Sequence, residues 1–154
     1  MITISDILRS DHILLEINAT EPKAAIDEVA LMLKNDTGVA DWTAFHKGVH
    51  SAAPCLPEPS GGFSLCVPHT RGECVSSMVM SVGRSDSGIV FPGTELPVRY
   101  IFCIGVPRAL AADYLRIVGL LARVFKDRSA ESELHDAKTG ADFIAFLARR
   151  ETKL

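Results

Sequence analysis

The stretch Leu65-Cys66-Val67-Pro68-His69-Thr70-Arg71-Gly72 joins an apolar run to a proline and then, with no spacer, to histidine, threonine and arginine. Residues 63–67, Phe63 to Val67, read as a strand, and Pro68 ends it because proline has no N–H to give to a sheet ladder. His69 is therefore expected at a strand end. There one ring nitrogen of a histidine can be held by a hydrogen bond while the other, nucleophilic near neutral pH, faces solvent. Arg71 offers a planar fork of donors to a phosphoryl group, and Thr70 offers a hydroxyl and a backbone N–H. The segment reads as a phosphoryl perch, although a Pro-His-x-Arg string taken alone also arises by chance. The plainer alternatives are a histidine that caps backbone groups and an arginine in a solvated loop.

Working upstream, Ser51 to Gly62 contains Pro54, Pro57, Pro59, Gly61 and Gly62 and reads as a loop that breaks both helix and sheet. Before it, Asp41 is placed to cap a helix with Trp42, Phe45 and Val49 on one face, ending before Pro54. Pro22 to Lys34 carries Ile26, Val29, Ala30 and Leu33 at helical spacing, with Thr20 as its cap and a stop near Asn35 to Gly38. The first residues offer Ser5 and Asp6 as caps for a short Ile7-Leu8 turn, followed by a strand over Ile13 to Ile17.

Downstream, Cys74 to Val82 and Val98 to Val106 read as strands. The second is nearly continuous in apolar residues, as in a strand buried on both faces, and Pro107 closes it. The glycines and prolines between Asp86 and Pro97 suggest a connection. Ala111 to Lys126 is the longest expected helix, with Leu115, Val118, Leu121, Ala122 and Phe125 along its apolar stripe. Two short helices follow, Ser129 to Ala137 and one capped by Thr139 with Asp142 at the box position, which presents Phe143, Phe146 and Leu147. This order of elements predicts an α/β fold, a mixed sheet with helices on both faces.

The bulk properties agree with one domain over residues 1–154. A chain of 154 residues with 47% apolar and 23% charged residues can bury one sizeable core. A formal charge of −3 with no basic run gives no footprint for nucleic acid or an anionic membrane surface. No stretch approaches the length of a membrane span, and the N-terminus lacks the layout of a signal peptide. Cys55, Cys66, Cys74 and Cys103 form no C-x-x-C pair and read as reduced thiols in a cytoplasm. Cys66 reads as a small core side chain.

Four stretches together resemble the IIA domains of the phosphotransferase system, in the fructose/mannitol and nitrogen-regulatory branch. They are Ile4 to Leu8 with Ile13 to Ile17, the helix beginning Pro22-Lys23-Ala24-Ala25-Ile26, Cys66-Val67-Pro68-His69, and Leu96-Pro97-Val98 through Phe102 to Val106-Pro107. The resemblance implies a sheet of about five strands between helices. It also implies a phosphorylated histidine at His69, supplied by a histidine phosphocarrier protein (HPr- or NPr-like), with no cofactor. In sugar-specific members the phosphoryl group passes on to a IIB domain; in nitrogen-regulatory members its presence controls binding to other proteins, such as a transporter or a sensor kinase. A chain with no attached IIB or membrane segment looks more like the regulatory branch.

The chain departs from that family pattern in two places. Relatives carry a second histidine at the start of the long helix, where Tyr114-Leu115 stands here; a tyrosine can donate a hydrogen bond to a phosphoryl oxygen but brings no positive charge. Relatives also carry an arginine upstream of the active strand, where this chain reads His46-Lys47-Gly48-Val49-His50-Ser51. Lys47, His46 or His50 is expected to supply the charge, without arginine's fork. His46 and His50, four apart, also share a helix face and make half of a metal site, but no acidic or cysteine ligand sits at a matching short interval, so no metal is expected. Two functional expectations follow. The chain is a phosphotransferase component that carries a phosphoryl group on His69, supported by Thr70, Arg71 and Tyr114. Alternatively it is a IIA-like binding module, weakened in transfer chemistry, that regulates a transporter or kinase by docking.

Overall fold

The computed structural model of the protein describes residues 1–56, 64–93 and 97–153. The expected start of the active strand at Phe63, the prolines and glycines of 57–63, and Leu96 lie outside the described residues. The elements follow in the order α1 (Ile4–Ile7), β1 (Leu8–Leu14), α2 (Pro22–Leu31), α3 (Trp42–Ser51), β2 (Cys55–Leu56), β3 (Ser64–Cys66), β4 (His69–Arg71), β5 (Val79–Ile89) and β6 (Val98–Val106). A 3₁₀ turn (Arg108–Leu110) then leads to α4 (Ala111–Val124), α5 (Arg128–Asp136) and α6 (Gly140–Lys153).

The strands lie in the order β1-β5-β6-β3-β2, and β4 also pairs with β6. Because β3 and β4 follow one another along the same edge of β6, six segments occupy five positions. β1 runs parallel to β5, β5 antiparallel to β6, and β6 parallel to both β3 and β4, so the sheet is mixed as expected. β6 is its centre and alternates with a period of two. Tyr100, Phe102 and Ile104 point into one core with Ile117, Leu121 and Phe143, while Ile101 and Cys103 point into the other with Val29, Phe45 and Val49. Helices α2 and α3 cover that second face; α1, α4, α5 and α6 cover the first.

Several expected boundaries move, each for a local reason. The N-terminal turn is capped by Thr3, whose N–H donates to Asp6 Oδ2 at 2.8 Å, rather than by Ser5. The strand after it covers Leu8–Leu14, not Ile13 to Ile17. It is an edge strand with a bulge between Leu8 and Ile13, which accommodates the polar Arg9, Ser10 and Asp11. α2 is entered through Glu21, not Thr20, and gives way to turns after Leu31, although Leu33 still reaches the core. Within the expected Ser51 to Gly62 loop, Cys55 and Leu56 pair with β3. The strand expected over Cys74 to Val82 begins at Val79 and continues to Ile89, pairing with β6 from Val79 to Arg84 and again at Ile89 across a register shift. Gly88, which reads as a turn residue, is instead a φ +81° position beside the register shift between Arg84 and Ile89.

On α4 the buried stripe is Ile117, Leu120, Leu121 and Val124, whereas Leu115, expected on it, is exposed. Other expectations hold. Asp41 Oδ1 accepts the Ala44 N–H at 3.1 Å, Thr139 accepts from the Asp142 N–H at 3.1 Å, Phe143, Phe146 and Leu147 are buried, and Cys66 is a core side chain. α5 takes its cap from Asp127, and α6 runs to Lys153, longer than the sequence suggests. No described helix is long and apolar enough to cross a membrane.

Candidate phosphoryl-acceptor site

Pro68 interrupts the donor side of the ladder but not its register. Leu65 and Cys66 face Tyr100 and Ile101, and His69, Thr70 and Arg71 face Ile104, Gly105 and Val106 with the same offset. The Pro68 carbonyl still accepts from the Ile104 N–H at 2.9 Å. His69 therefore opens a resumed strand rather than ending one, a correction to the sequence reading. The consequence is a firmer mount, since its backbone N–H donates to the Ala52 carbonyl at 2.9 Å and so joins β4 to the end of α3.

The imidazole is oriented by its own chain. His69 Nδ1 lies 3.0 Å from the Val67 carbonyl oxygen. A carbonyl can only accept, so Nδ1 carries the hydrogen and Nε2 keeps the lone pair.

His69, Thr70, Arg71 and Tyr114 line one cleft of about 430 Å³, closed off by Gly48, Ala52 and Val106. All four residues singled out from the sequence thus come together. The Tyr114 ring sits 5.0 Å from the His69 ring, tilted by 33°. Burial pushes the Tyr114 phenol up, and the nearby positive charge of Arg71 partly offsets this. Arg71 itself is exposed at the rim, and Thr70 Oγ1 lies 3.7 Å from Cys74 Sγ.

Two glycines let the walls meet. A Cβ on Gly48 would stand 2.2 Å from Thr70 Oγ1 and 2.6 Å from its Cβ, so glycine is what allows α3 to press against β4. Gly72, at φ +140°, turns the chain out of β4 in a conformation other residues rarely adopt. The Arg108 side chain passes nearby, its Nε 4.0 Å from where a Gly72 Cβ would be. Gly48, Ala52 and Arg108 were not singled out from the sequence. Gly48 carries a faint signal as a glycine inside a helical pattern; Arg108, next to Pro107 at the end of β6, carries none.

The expected substitutes for the missing upstream arginine do not line this cleft. Lys47 is exposed. His46 and His50 turn instead toward α2, where Asp27 Oδ1 lies 2.7 Å from His46 Nε2 and 2.5 Å from His50 Nε2. Partial burial works to raise the Asp27 carboxyl, but the hydrogen bonds from His50 and His46 prevail and hold it below the usual carboxylate range.

Comparison with known proteins agrees with this fold. Residues 6–150 match the family model described as "Phosphoenolpyruvate-dependent sugar phosphotransferase system, EIIA 2". A fructose-specific EIIA component of the phosphotransferase system from Haloferax volcanii is 30% identical over 79 residues, a match that spans about half of each chain (51% of both). A nitrogen regulatory protein from Bradyrhizobium diazoefficiens is 23% identical over 146 residues, 94% of each chain. Among solved structures, nitrogen regulatory protein IIA-Ntr from Neisseria meningitidis superposes with a TM-score of 0.77 at 22% identity, covering 94% of this chain and 98% of that one. With the family model spanning nearly the whole chain and the sheet, helices and cleft in place, the chain belongs to the phosphotransferase-system EIIA type-2 family.

Proposed function

We propose that the protein is a phosphocarrier whose His69 Nε2 accepts a phosphoryl group from a histidine phosphocarrier protein (HPr- or NPr-like) and either passes it on or displays it to a binding partner. The lone pair on Nε2 attacks phosphorus in line, and the P–N bond to the donor imidazole breaks with its electron pair leaving on the donor nitrogen. A positive charge develops on the His69 ring, and the Nδ1–H bond to the Val67 carbonyl stabilises it. Arg71, Thr70 and Tyr114 are positioned around the cleft to meet the equatorial oxygens. The observation that carries this reading is the His69 Nδ1 to Val67 carbonyl bond, which commits Nε2 to nucleophilic work.

The similarity to nitrogen regulatory proteins over 94% of the chain supports a regulatory use of the phosphoryl group. A doubly charged group added beside Arg71 would reverse the potential of the rim where a partner docks. Such partners include a IIB domain, a transporter or a sensor kinase. The second reading, a docking module weakened in transfer, is favoured by Tyr114, a neutral ring 5.0 Å from His69 where relatives are expected to carry a histidine.

Intact mass after incubation with phosphoenolpyruvate, the first enzyme of the system and its histidine carrier separates the two. A gain of one acid-labile phosphoryl group, absent in His69→Ala, establishes the carrier chemistry. No gain with active cognate proteins overturns it, and partner binding by His69→Asp then becomes the measurement that matters.

A further inference from the structure

The sequence offers His46 and His50 as half of a metal site and no third ligand nearby in the chain. The fold supplies one. α2 packs against α3, and Asp27, well upstream in sequence, projects its carboxylate between the two imidazoles. One candidate ligand atom from each of the three residues lies within 4.8 Å of the other two.

We propose that Asp27, His46 and His50 form a binding site for a divalent transition-metal ion of the zinc class. Two imidazoles and one carboxylate are a donor set that suits zinc and its borderline neighbours. Histidines four apart on a helix present their rings on the same side, one turn from each other. Here the ring centroids are 4.8 Å apart, and both Nε2 atoms converge on one oxygen. Bonds of about 2.0–2.1 Å to a tetrahedral ion place donor atoms roughly 3.3 Å apart. The oxygen therefore has to draw back by less than about 1 Å from each nitrogen to admit the ion, a movement available to an exposed aspartate side chain.

The side chains of Asp27, His46 and His50 are 51%, 42% and 22% accessible, which leaves remaining coordination positions open to water. His46 is also steadied by Trp42, one helical turn earlier, with ring centroids 5.5 Å apart. These histidines lie about 200° around α3 from Gly48, which lines the phosphoryl cleft. A bound ion would staple α2 to α3 on the far side of the helix from His69. The inference is therefore independent of the phosphocarrier reading.

The test is zinc titration of the untagged full chain by calorimetry, with thermal unfolding and histidine ¹⁵N NMR alongside. The expected result is one ion per chain, a Tm that rises with zinc concentration, and imidazole shifts at His46 and His50 but not at His12, His69 or His135. Affinity should fall at least tenfold in His50→Ala and in Asp27→Asn, as direct ligands matter at least as much as the outer partners whose loss costs roughly 10–100-fold. Cobalt substitution should give no thiolate charge-transfer band. Absence of uptake by the wild-type chain overturns the proposal, as do shifts confined to other histidines, or binding that survives in His46→Ala/His50→Ala with a thiolate band from the cysteines. The NMR and cobalt readings use the wild-type chain, so they decide the matter even if a variant folds poorly.

Discussion

The Nδ1 of His69 and the carbonyl of Val67, two residues back across Pro68, are joined by a 3.0 Å hydrogen bond. Donor and acceptor sit on either side of Pro68 in one stretch of chain. The bond follows from a strand broken by a proline and resumed in register, which folds the ring back over its own backbone. The expected outcome is that phosphorylation falls on Nε2 alone. Long-range ¹H–¹⁵N correlation spectra of the free protein should show the Nδ1–H tautomer of His69, and the phosphorylated form should show phosphorus coupling to Nε2. Coupling to Nδ1 would contradict the geometry.

Arg71 is expected to matter for transfer and not for folding. It is exposed, so Arg71→Ala should leave stability within about 0.5 kcal/mol of the parent. A hydrogen bond to a charged group is worth about 1.5–3 kcal/mol, so the rate of phosphoryl uptake should drop roughly 10–100-fold. Arg71→Lys should recover part of it, since the charge remains while the fork is lost. Rapid-quench assays with a phosphorylated carrier measure this. An unchanged rate in Arg71→Ala would remove the residue from the site.

Gly48 presents an opposition of two effects that magnitudes decide. In an isolated helix, Gly to Ala is worth about 0.5–1 kcal/mol of stabilisation. In this protein the new Cβ would meet Thr70 Cβ at 2.6 Å, an atom fixed to the β4 backbone. Overpacking of this kind costs typically 1–3 kcal/mol, so Gly48→Ala should be net destabilising and should push α3 away from His69. Denaturant midpoints check the sign. Thr70→Gly in the same chain should relieve the clash, giving favourable coupling in a double-mutant cycle.

How much of this was legible in the sequence differs by element. β6 was readable end to end because, apart from Arg99 near its start, its run is continuously apolar and buried on both faces. The Asp41 cap was readable because capping is local. β5 was misplaced because Asp86 to Pro97, with its glycines and prolines, reads as a connection. In fact Arg84 is held inside the fold by donating to the carbonyls of Leu15, Leu134 and Ala137, partners that no local pattern reveals. The apolar stripe of α4 was drawn through Leu115 because several helical phases fit that sequence, and only packing selects Ile117 and Leu120. At the site, His69, Thr70 and Arg71 are neighbours in the chain, whereas Tyr114 was reached through family resemblance. The turn of His46 and His50 toward Asp27 depends on how α2 meets α3, which spacing within one helix does not encode.

The two tyrosines give a pH prediction whose sign can be worked out. Burial pushes the Tyr100 phenol up to about 12, and burial also raises Tyr114. In the unfolded chain both should ionise near about 10. Because the folded values are higher, the folded state holds these protons longer. The stability this represents is complete below about pH 10 and is lost as the pH rises toward 12. For Tyr100, 1% accessible and packed 5.0 Å from the Phe125 ring, the difference corresponds to roughly 3 kcal/mol. Phenolate absorbance from Tyr100 should therefore stay low in the native protein at pH 10 to 11 and appear together with unfolding, as followed by circular dichroism. Tyr114 opens on the cleft and should ionise before Tyr100, so Tyr114→Phe should remove the early part of the absorbance rise. It should leave the late, unfolding-linked part in place. Ionisation of both tyrosines near pH 10 with the fold intact would show that neither phenol is shielded as the structure requires.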